Sequence, residues 1–428
     1  MSLSDGRKSE AAGGRLKQHT DTVDGVTGRN SGTIRRTALV AAVGLLLMGL
    51  LAVGIHTALK DNTLGGDFYV FWQAGRAFFF ERVDPYSWEV TRRVQLGYYH
   101  GRLAGPGEDP MKFAYPAYVL LPIYPLLWLS FDWAQAVWMA LNILLVAGVL
   151  LGVLRAGPKW VAVLVLFLYQ MTFGLILGNF VVAFFAILVW VLDRLLTGRM
   201  DSVSTQILAG LALAWTTAKP QFVWLYLMFI LVYSLRQKRA ALIGGFTLGL
   251  AGLVGISLGV RPDWPFSWLG RVTEYTGYLP IEPALETILR FLIGARFLPA
   301  ALAVVKMLVV ALSVYFFWKW YSGKVASLLF VGWCGFAVYL LHPTGISYDQ
   351  LSFVIPLVLW TACCRPRPVV TGLVWGSAVL LSYVFFTISV LEIAPHADYI
   401  LPCVLYLTWL GWFALRSSVE GEKHAECI

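Results

Sequence analysis

The sequence predicts an all-α, polytopic integral membrane protein, and three observations support this class. Of 428 residues, 58% are hydrophobic and only 13% are charged, whereas soluble domains carry about 25% charged residues. Several apolar runs reach the roughly 17–25 residues that a helix needs to cross a bilayer. The 18 Trp residues suit the belts in which membrane helices meet water. A chain with so little polar surface is not expected to fold as a water-soluble body of this size.

The distribution of charge also favours a membrane environment over nucleic acid. The formal net charge is +9, but Lys and Arg occur in short clusters beside apolar segments, as the positive-inside rule expects. No polar segment carries a basic face with interleaved aromatic residues, so nucleic acid is not an expected partner. The five cysteines have neither metal-ligand spacing nor a paired framework, and their expected role is packing.

The chain is predicted to form a single transmembrane domain, residues 37–416, between two cytoplasmic tails. Residues 1–36 are polar and rich in Gly, Ser and Arg, which is typical of a disordered tail; residues 417–428 form the second tail. Because Arg35 and Arg36 precede the first apolar run, the N-terminus is expected in the cytoplasm. No clear cleavage site follows that run, so we expect an uncleaved helix in the plasma (inner) membrane.

Basic clusters then define the predicted path through the bilayer, with about 12 transmembrane helices. Residues 60–112 are too polar for lipid and form a long first extracytoplasmic loop. The pieces 113–131 and 134–154 together make one net crossing, so one of them is expected to be re-entrant or interfacial. The apolar pieces on either side of Lys219 are only about 14 residues long, which indicates broken or tilted helices beside a cavity. Both termini come out on the cytoplasmic side.

This predicted path collects the polar groups least suited to a membrane on one side. They are Asp67, the Gly178-Asn179 turn, Lys219, the 261–298 loop and the turn from His342 to Asp349. Ionisable groups near membrane depth are costly and tend to be functional. The sequence therefore predicts an active cavity at the extracytoplasmic surface.

Asp67 is the polar residue of this group with the clearest local setting. From Asp67 to Phe80 the aromatic residues recur on one helical face, which predicts a helix lying in the membrane interface. Asp67 would begin that helix, and its local sequence leaves two interpretations open, a helix cap or a general base. Asp84 before Pro85 has the same ambiguity, and there we favour the N-cap of a second short helix.

Several motifs, in order along the chain, resemble those of glycosyltransferase family 87. The strongest is Gly66–Ala77 followed by Asp84-Pro85-Tyr86, which is similar to the first outer loop of that family. The later ones are Phe113–Pro116, Gly178-Asn179, Ala218-Lys219-Pro220, Leu285 with Arg290, and Ser347-Tyr348-Asp349. This sequence departs from the family at Ala117, Asn179 and Val181, where the family has Pro, Gln and Asn. The resemblance implies a GT-C fold, a class that includes polyprenyl-phosphate-mannose-dependent mannosyltransferases.

The resemblance implies that Asp67 is the catalytic base of an inverting sugar transfer. The donor would be a hexose, mannose-like, on a polyprenyl phosphate, and the acceptor a lipid or glycan among the membrane lipids. For the donor phosphate we consider Lys219 first, then Arg290 and Arg76, although a lysine here could also snorkel to the interface. The further candidates for binding sugar or donor are Tyr115, Asn179, His342, Tyr348 and Asp349.

Two other functions are compatible with the sequence, and no cofactor is expected. A flippase or transporter of lipid-linked glycan would also need an outward cavity with a few charges, but transporters often carry internal repeats, and none is detectable here. A GT-C-type glycan ligase need not use an acid in the first loop. No tight cluster of carboxylates suggests a divalent cation, so we expect a metal-independent reaction.

Overall fold

The structure is a computed structural model that describes residues 38–39, 42–59, 64–278, 283–343, 346–393, 397–400, 403, 404 and 408. In these ranges the regular elements are helices and no strand occurs. The predicted tails, 1–36 and 417–428, and most of the last predicted span lie outside the described residues. The chain is thus an all-helical membrane protein, as the sequence predicts.

The helices follow one another with short connections. In chain order they are α1 Ala42–Leu59, α2 Gly66–Arg76, α3 Trp88–Tyr98, α4 Phe131–Val153, α5 Val161–Leu166, α6 Tyr169–Leu177, α7 Val181–Leu196, α8 Val203–Thr216, α9 Pro220–Arg236, α10 Ala240–Val260, α11 Trp264–Tyr278, α12 Ala284–Ile293, α13 Leu298–Tyr321, α14 Ser327–Leu341, α15 Leu351–Cys364 and α16 Pro368–Val390. A π-helical turn, Ala77–Glu81, extends α2, and 3₁₀ helices cover Ala117–Leu120, Tyr124–Trp128 and Ser347–Gln350.

Five of the described helices are long and apolar enough to cross a membrane: α1, α4, α10, α13 and α16. Three more apolar helices, α8, α9 and α14, have 14, 17 and 15 residues. A helix of 15 residues is about 22 Å long, less than the roughly 30 Å hydrocarbon core. The protein is therefore a multi-pass helical membrane protein, while the figure of about 12 crossings stays a prediction.

Two of the apolar pieces have a different structure from a simple span. In the segment before α4, Pro116, Pro122 and Pro125 interrupt the backbone, and only short 3₁₀ helices form, because proline lacks the N–H that a helix needs. Of the two pieces in 113–154, the second forms the 23-residue α4, which is long and apolar enough to cross a membrane. The apolar run 160–176 is not one continuous helix, because the chain breaks at Leu168 into α5 and α6. The Thr172 hydroxyl donates to carbonyl oxygens at the break.

The centre of the bundle is α7, which is buried on nearly all sides and packs against α4, α8, α9 and α15. A helix that is apolar all round is expected in such a position. Beside it, α8 and α10 approach so closely that a Cβ on Gly210 would lie 2.2 Å from the Leu242 carbonyl oxygen. Small residues permit this packing of membrane helices. This packing fixes the start of α7 and the end of α8. Asn179 lies just before α7, and Lys219 lies just beyond α8.

The first loop contains the predicted aromatic helix, with one correction at its end. Helix α2 and its π-helical turn cover Gly66–Glu81 and bury Phe68, Phe71 and Phe78. Asp84 does not cap the second short helix, α3, as predicted; its carboxylate accepts from the Tyr86 N–H at 3.1 Å within a turn. The cap of α3 is Ser87, whose hydroxyl accepts from the Val90 N–H.

Candidate active site

Asp67 lies in the first turn of α2, at a point where two aromatic contacts hold that helix against the bundle. The ring of Phe71 stacks on Phe180 with centroids 4.2 Å apart, and Phe68 stacks on Trp138 at 5.5 Å. The residue in the N-cap position is Gly65, and no side chain caps the helix. The interpretation of Asp67 as a helix cap is therefore wrong, and its carboxylate is available for contacts with other helices.

The partner that orients Asp67 is Asn179, in the turn between α6 and α7. Its Nδ2 donates to Asp67 Oδ2 at 2.7 Å, while its Oδ1 accepts from the Val181 N–H at 3.0 Å. The preceding Gly178 has φ +69°, and a Cβ there would lie 2.7 Å from Phe68 Cβ. Glycine is thus required for the close approach that brings Asn179 to the carboxylate.

Two tyrosines also lie close to this carboxylate. The Tyr348 hydroxyl forms a side-chain hydrogen bond with Asp67. The Tyr115 hydroxyl lies 3.4 Å from Asn179 Nδ2, and its ring packs edge-on against Phe71 with centroids 5.2 Å apart. Tyr348 is buried and Tyr115 half-buried, so neither ring has the exposure of a membrane-interface anchor.

Next to Tyr348 is a buried ion pair that continues the network. Lys219 is 3% exposed, so it does not snorkel to the interface, and its Nζ donates to Asp349 Oδ1 at 2.5 Å. The same ammonium lies 4.7 Å from the centroid of the Tyr348 ring. His342 Nε2 is 3.4 Å from the second carboxylate oxygen of Asp349. Successive contacts therefore link Asp67 through Tyr348, Lys219 and Asp349 to His342.

The surroundings of Asp67 raise the pKa of its carboxyl group from 3.8 to about 6. Burial is the largest cause, and the Asp109 carboxylate adds to it. The hydrogen bonds from Asn179 and Tyr348 and the charge of Lys219 lower the pKa and offset part of this effect. Part of the residue remains accessible to solvent, although protein surrounds the carboxylate closely enough for desolvation to dominate. At pH 7 the group is mostly ionised, yet it is a stronger base than an ordinary aspartate.

The network contains ionisable groups of both signs. Asp67 and Asp349 contribute two negative charges when ionised, and Lys219 contributes one positive charge. A proton on His342 would bring the formal sum to zero. Because Asp349 lies between Lys219 and His342, its two carboxylate oxygens face different partners. A negatively charged ligand beside Lys219 would compete with Asp349 for that ammonium.

Two predicted phosphate-binding residues have other contacts. Arg76 donates from Nη1 to the Leu127 carbonyl oxygen at 2.8 Å and lies over the Trp72 ring at 5.0 Å. Arg290 pairs at 3.0 Å with Glu286, one turn away on the same helix, and 45% of its side chain is exposed. Of the nine predicted residues, contacts within the described ranges join seven in the network, whereas Arg76 and Arg290 are engaged elsewhere.

Several polar residues around the network were not predicted from the sequence. Asp109 and Tyr98 both interact electrostatically with Asp67, and a Cβ on Gly66 would lie 3.1 Å from the Tyr98 hydroxyl. Near Asp349, Gln170 donates to Gln350 Oε1 at 2.8 Å, and both are buried. A glutamine in an apolar run was the available signal for Gln170, whereas Asp109 lies in a polar loop and carried none.

Within the described ranges, no group of three or more His, Cys, Asp or Glu side chains is arranged to hold a metal ion. Metal independence therefore stays a prediction from the sequence.

Comparison of the chain with protein-family models, with curated proteins and with solved structures gave no match. The likeness to glycosyltransferase family 87 thus depends on the sequence motifs alone, and the site must be interpreted from its own chemistry.

Proposed function

We propose that the protein is a membrane glycosyltransferase that moves a sugar from a polyprenyl-phosphate donor to a lipid or glycan acceptor at the extracytoplasmic face. The observation that carries the proposal is the Asp67 carboxylate, which is oriented by Asn179 and Tyr348 and has a pKa of about 6. An effective general base has a pKa near the working pH, because it must be both ionised and basic.

In the proposed reaction Asp67 removes the proton from an acceptor hydroxyl. The acceptor oxygen then forms a bond to the anomeric carbon, while the bond from that carbon to the phosphate oxygen breaks. The electron pair of the broken bond leaves with the polyprenyl phosphate, and the configuration at the anomeric carbon inverts. The Asp67 proton is afterwards released to water or to the phosphate. Asn179 and Tyr348 support this step because their hydrogen bonds fix the direction of the carboxylate.

Lys219 supports the departure of the phosphate. Negative charge grows on the leaving oxygen, and a cation already positioned near it stabilises the transition state without reorganisation. Lys219 is buried and paired with Asp349, which keeps its ammonium group beside the site. His342 on the far side of Asp349 would hold that carboxylate when Lys219 turns to the phosphate. The choice of a mannose-like hexose and a polyprenyl carrier follows from the resemblance of the first loop and is part of the proposal.

The proposal is tested by sugar transfer with the purified protein. Polyprenyl-phosphate mannose and a mixture of membrane-lipid acceptors are incubated with the wild type, Asp67→Asn and Asp84→Asn. We expect Asp67→Asn to lower kcat by about 10²–10⁴-fold with little change in KM, because the base is lost while the donor-binding groups remain. Asp84→Asn is the matched control, since its carboxylate serves only a turn in the same loop.

Two outcomes contradict the proposal. Transfer that survives Asp67→Asn would exclude Asp67 as the base. Movement of the intact lipid-linked sugar between leaflets of a vesicle, without transfer to any acceptor, would instead indicate a flippase.

A further inference from the structure

A second polar region lies at the other ends of the helices that carry the candidate active site. A cavity of about 980 Å³ opens where α4, α7, α9, α13 and α15 end and α14 begins. Each of the five helices that end at the cavity contributes one cationic side chain, at its last residue or within three residues beyond it. These cations are Arg155, Arg199, Arg236, Lys324 and Arg365. No Asp or Glu occurs among the described residues that line the cavity.

The helix ends do not account for all of this positive charge. A helix C-terminus carries about half a negative charge, so five ends offset about two and a half positive charges. Asp193, behind Arg199, offsets one more through contacts of 2.8 and 2.9 Å. The five cations therefore leave more than one positive charge without compensation within the described residues. An anionic ligand would relieve that repulsion.

Arg236 shows that part of the cavity is organised in advance. Its Nη1 donates to the Tyr321 carbonyl oxygen at 2.8 Å, and its guanidinium lies 4.6 Å from the centroid of the Tyr321 ring. Arginine held in this way keeps its remaining N–H groups in a planar fork, which matches two oxygens of a phosphate. Lys324 follows Gly323, whose φ of +74° turns the chain back toward α14.

The positive-inside rule alone does not explain the arrangement. Lys159, Lys238 and Arg367 are exposed at the same helix ends but do not line the cavity. The walls also include aromatic and apolar side chains, Tyr233, Trp320, Val153 and Leu328. A site for a small inorganic anion would not need such walls, whereas a headgroup joined to acyl chains would contact them.

We propose that this cavity binds the phosphate-bearing headgroup of an anionic membrane lipid. Basic pockets between transmembrane helices bind such headgroups, and the volume lies in the range of about 300–1,000 Å³ typical of small-ligand sites. In the proposed binding mode, the arginines bind the phosphate. Tyr233, Trp320 and the apolar wall contact the glycerol and the first methylene groups. This site is separate from the proposed catalytic one. Helix α9 has 17 residues and is about 25 Å long, with Lys219 at its start and Arg236 at its end.

The test measures lipid binding by the full chain in detergent, with native mass spectrometry and thermal unfolding. The probes are dioleoylphosphatidylglycerol, dioleoylphosphatidylcholine and glycerol 3-phosphate. We expect phosphatidylglycerol to bind and to raise the unfolding temperature, and phosphatidylcholine to do neither. The variant Arg155→Gln/Arg365→Gln should bind phosphatidylglycerol about tenfold or more weakly. Glycerol 3-phosphate that binds as tightly as the lipid would overturn the lipid assignment and identify a soluble phosphate ester as the source of the same headgroup chemistry.

The matched control is Lys159→Gln/Arg367→Gln, which removes the same charge from exposed neighbours outside the cavity. It should weaken binding less than about threefold. Equal weakening in both variants would overturn the proposal, because it would mean general attraction to a basic surface. If the cavity variant does not fold, Lys324→Gln against Lys319→Gln makes the same comparison, since Lys319 does not line the cavity.

Discussion

The two ends of α7, α9 and α15 differ in how they treat polar side chains. At one end Asn179, Lys219 and Asp349 are at most 3% exposed and contact one another or Asp67 and Tyr348. At the other end Arg236 and Arg365 are exposed around an open cavity. The same helices thus carry a closed network at one end and an open basic surface at the other. In the closed network, burial raises the pKa of Asp67. We propose catalysis at the first end and binding of a lipid headgroup at the second.

The largest effect on stability is expected when the closed network loses its cation. Lys219→Met leaves Asp349 buried without its ammonium partner, and we expect it to reduce the free energy of unfolding by about 3–5 kcal/mol. The double variant Lys219→Met/Asp349→Leu removes both charges and should recover most of that loss, yet remain inactive. Denaturant unfolding in detergent measures both. A single variant as stable as the wild type would mean that the ion pair is not buried in the folded chain.

A smaller effect, of opposite sign, is expected at Asp67. Because the folded-state pKa of about 6 lies above the usual 3.8, the folded chain binds this proton more tightly than the unfolded chain does. That contribution to stability is complete below pH 3.8 and is lost as the pH rises through 6. At pH 7.5 the ionised carboxylate therefore costs up to about 3 kcal/mol, and its partial solvent access makes this an upper value.

Asp67→Asn should consequently stabilise the protein at pH 7.5 and give little advantage at pH 4. Thermal unfolding at the two pH values measures the difference. A variant that is less stable than the wild type at pH 7.5 would contradict the burial of the carboxylate. Asp84→Asn, in the same loop, is the matched control, because its carboxylate lies in a turn outside the network.

The smallest effect is expected at the open end. Arg236→Gln removes an exposed cation with one hydrogen bond to the Tyr321 carbonyl oxygen, and should change the free energy of unfolding by less than about 1 kcal/mol. Denaturant unfolding under the conditions used for Lys219→Met makes the two ends comparable. A loss as large as that of Lys219→Met would remove the distinction between a buried and an exposed region.

The sequence predicted which residues come together at the site better than it predicted the contacts that each of them makes. Asp67, Asn179, Lys219 and Asp349 came from polar positions in an apolar chain and from motif order, and they lie together. The sequence indicated Arg76 as a candidate for binding phosphate. Spacing along a helix does not reveal that its guanidinium donates to the carbonyl oxygen of Leu127, which is 51 residues away in the sequence. Contacts between distant segments depend on tertiary packing, which a one-dimensional pattern does not contain.

The same limit applies to the fold. The long apolar run 134–154 predicted α4, Phe131–Val153, close to its observed bounds. The break at Leu168 was missed because no proline or glycine marks it. The hydrogen bonds that compensate for it come from Thr172, a residue with no visible signal in an apolar run. Apolar composition therefore predicts membrane segments well and their internal breaks poorly.

The proposed catalysis depends most on Asp67 acting as a base whose pKa is set by the closed network. The pH dependence of kcat/KM for sugar transfer tests this directly, in the wild type, Asn179→Ala and the control Asn142→Ala, another buried asparagine whose amide donates to Trp138. The wild-type rate should rise with pH with a midpoint of about 6. In the wild type the hydrogen bond from Asn179 lowers the pKa of Asp67, so Asn179→Ala, which removes this bond, should move the midpoint upward. Asn142→Ala should leave the midpoint unchanged. A midpoint near the ordinary aspartate value of about 4, or one that Asn179→Ala does not move, would contradict the assignment of Asp67 as the base.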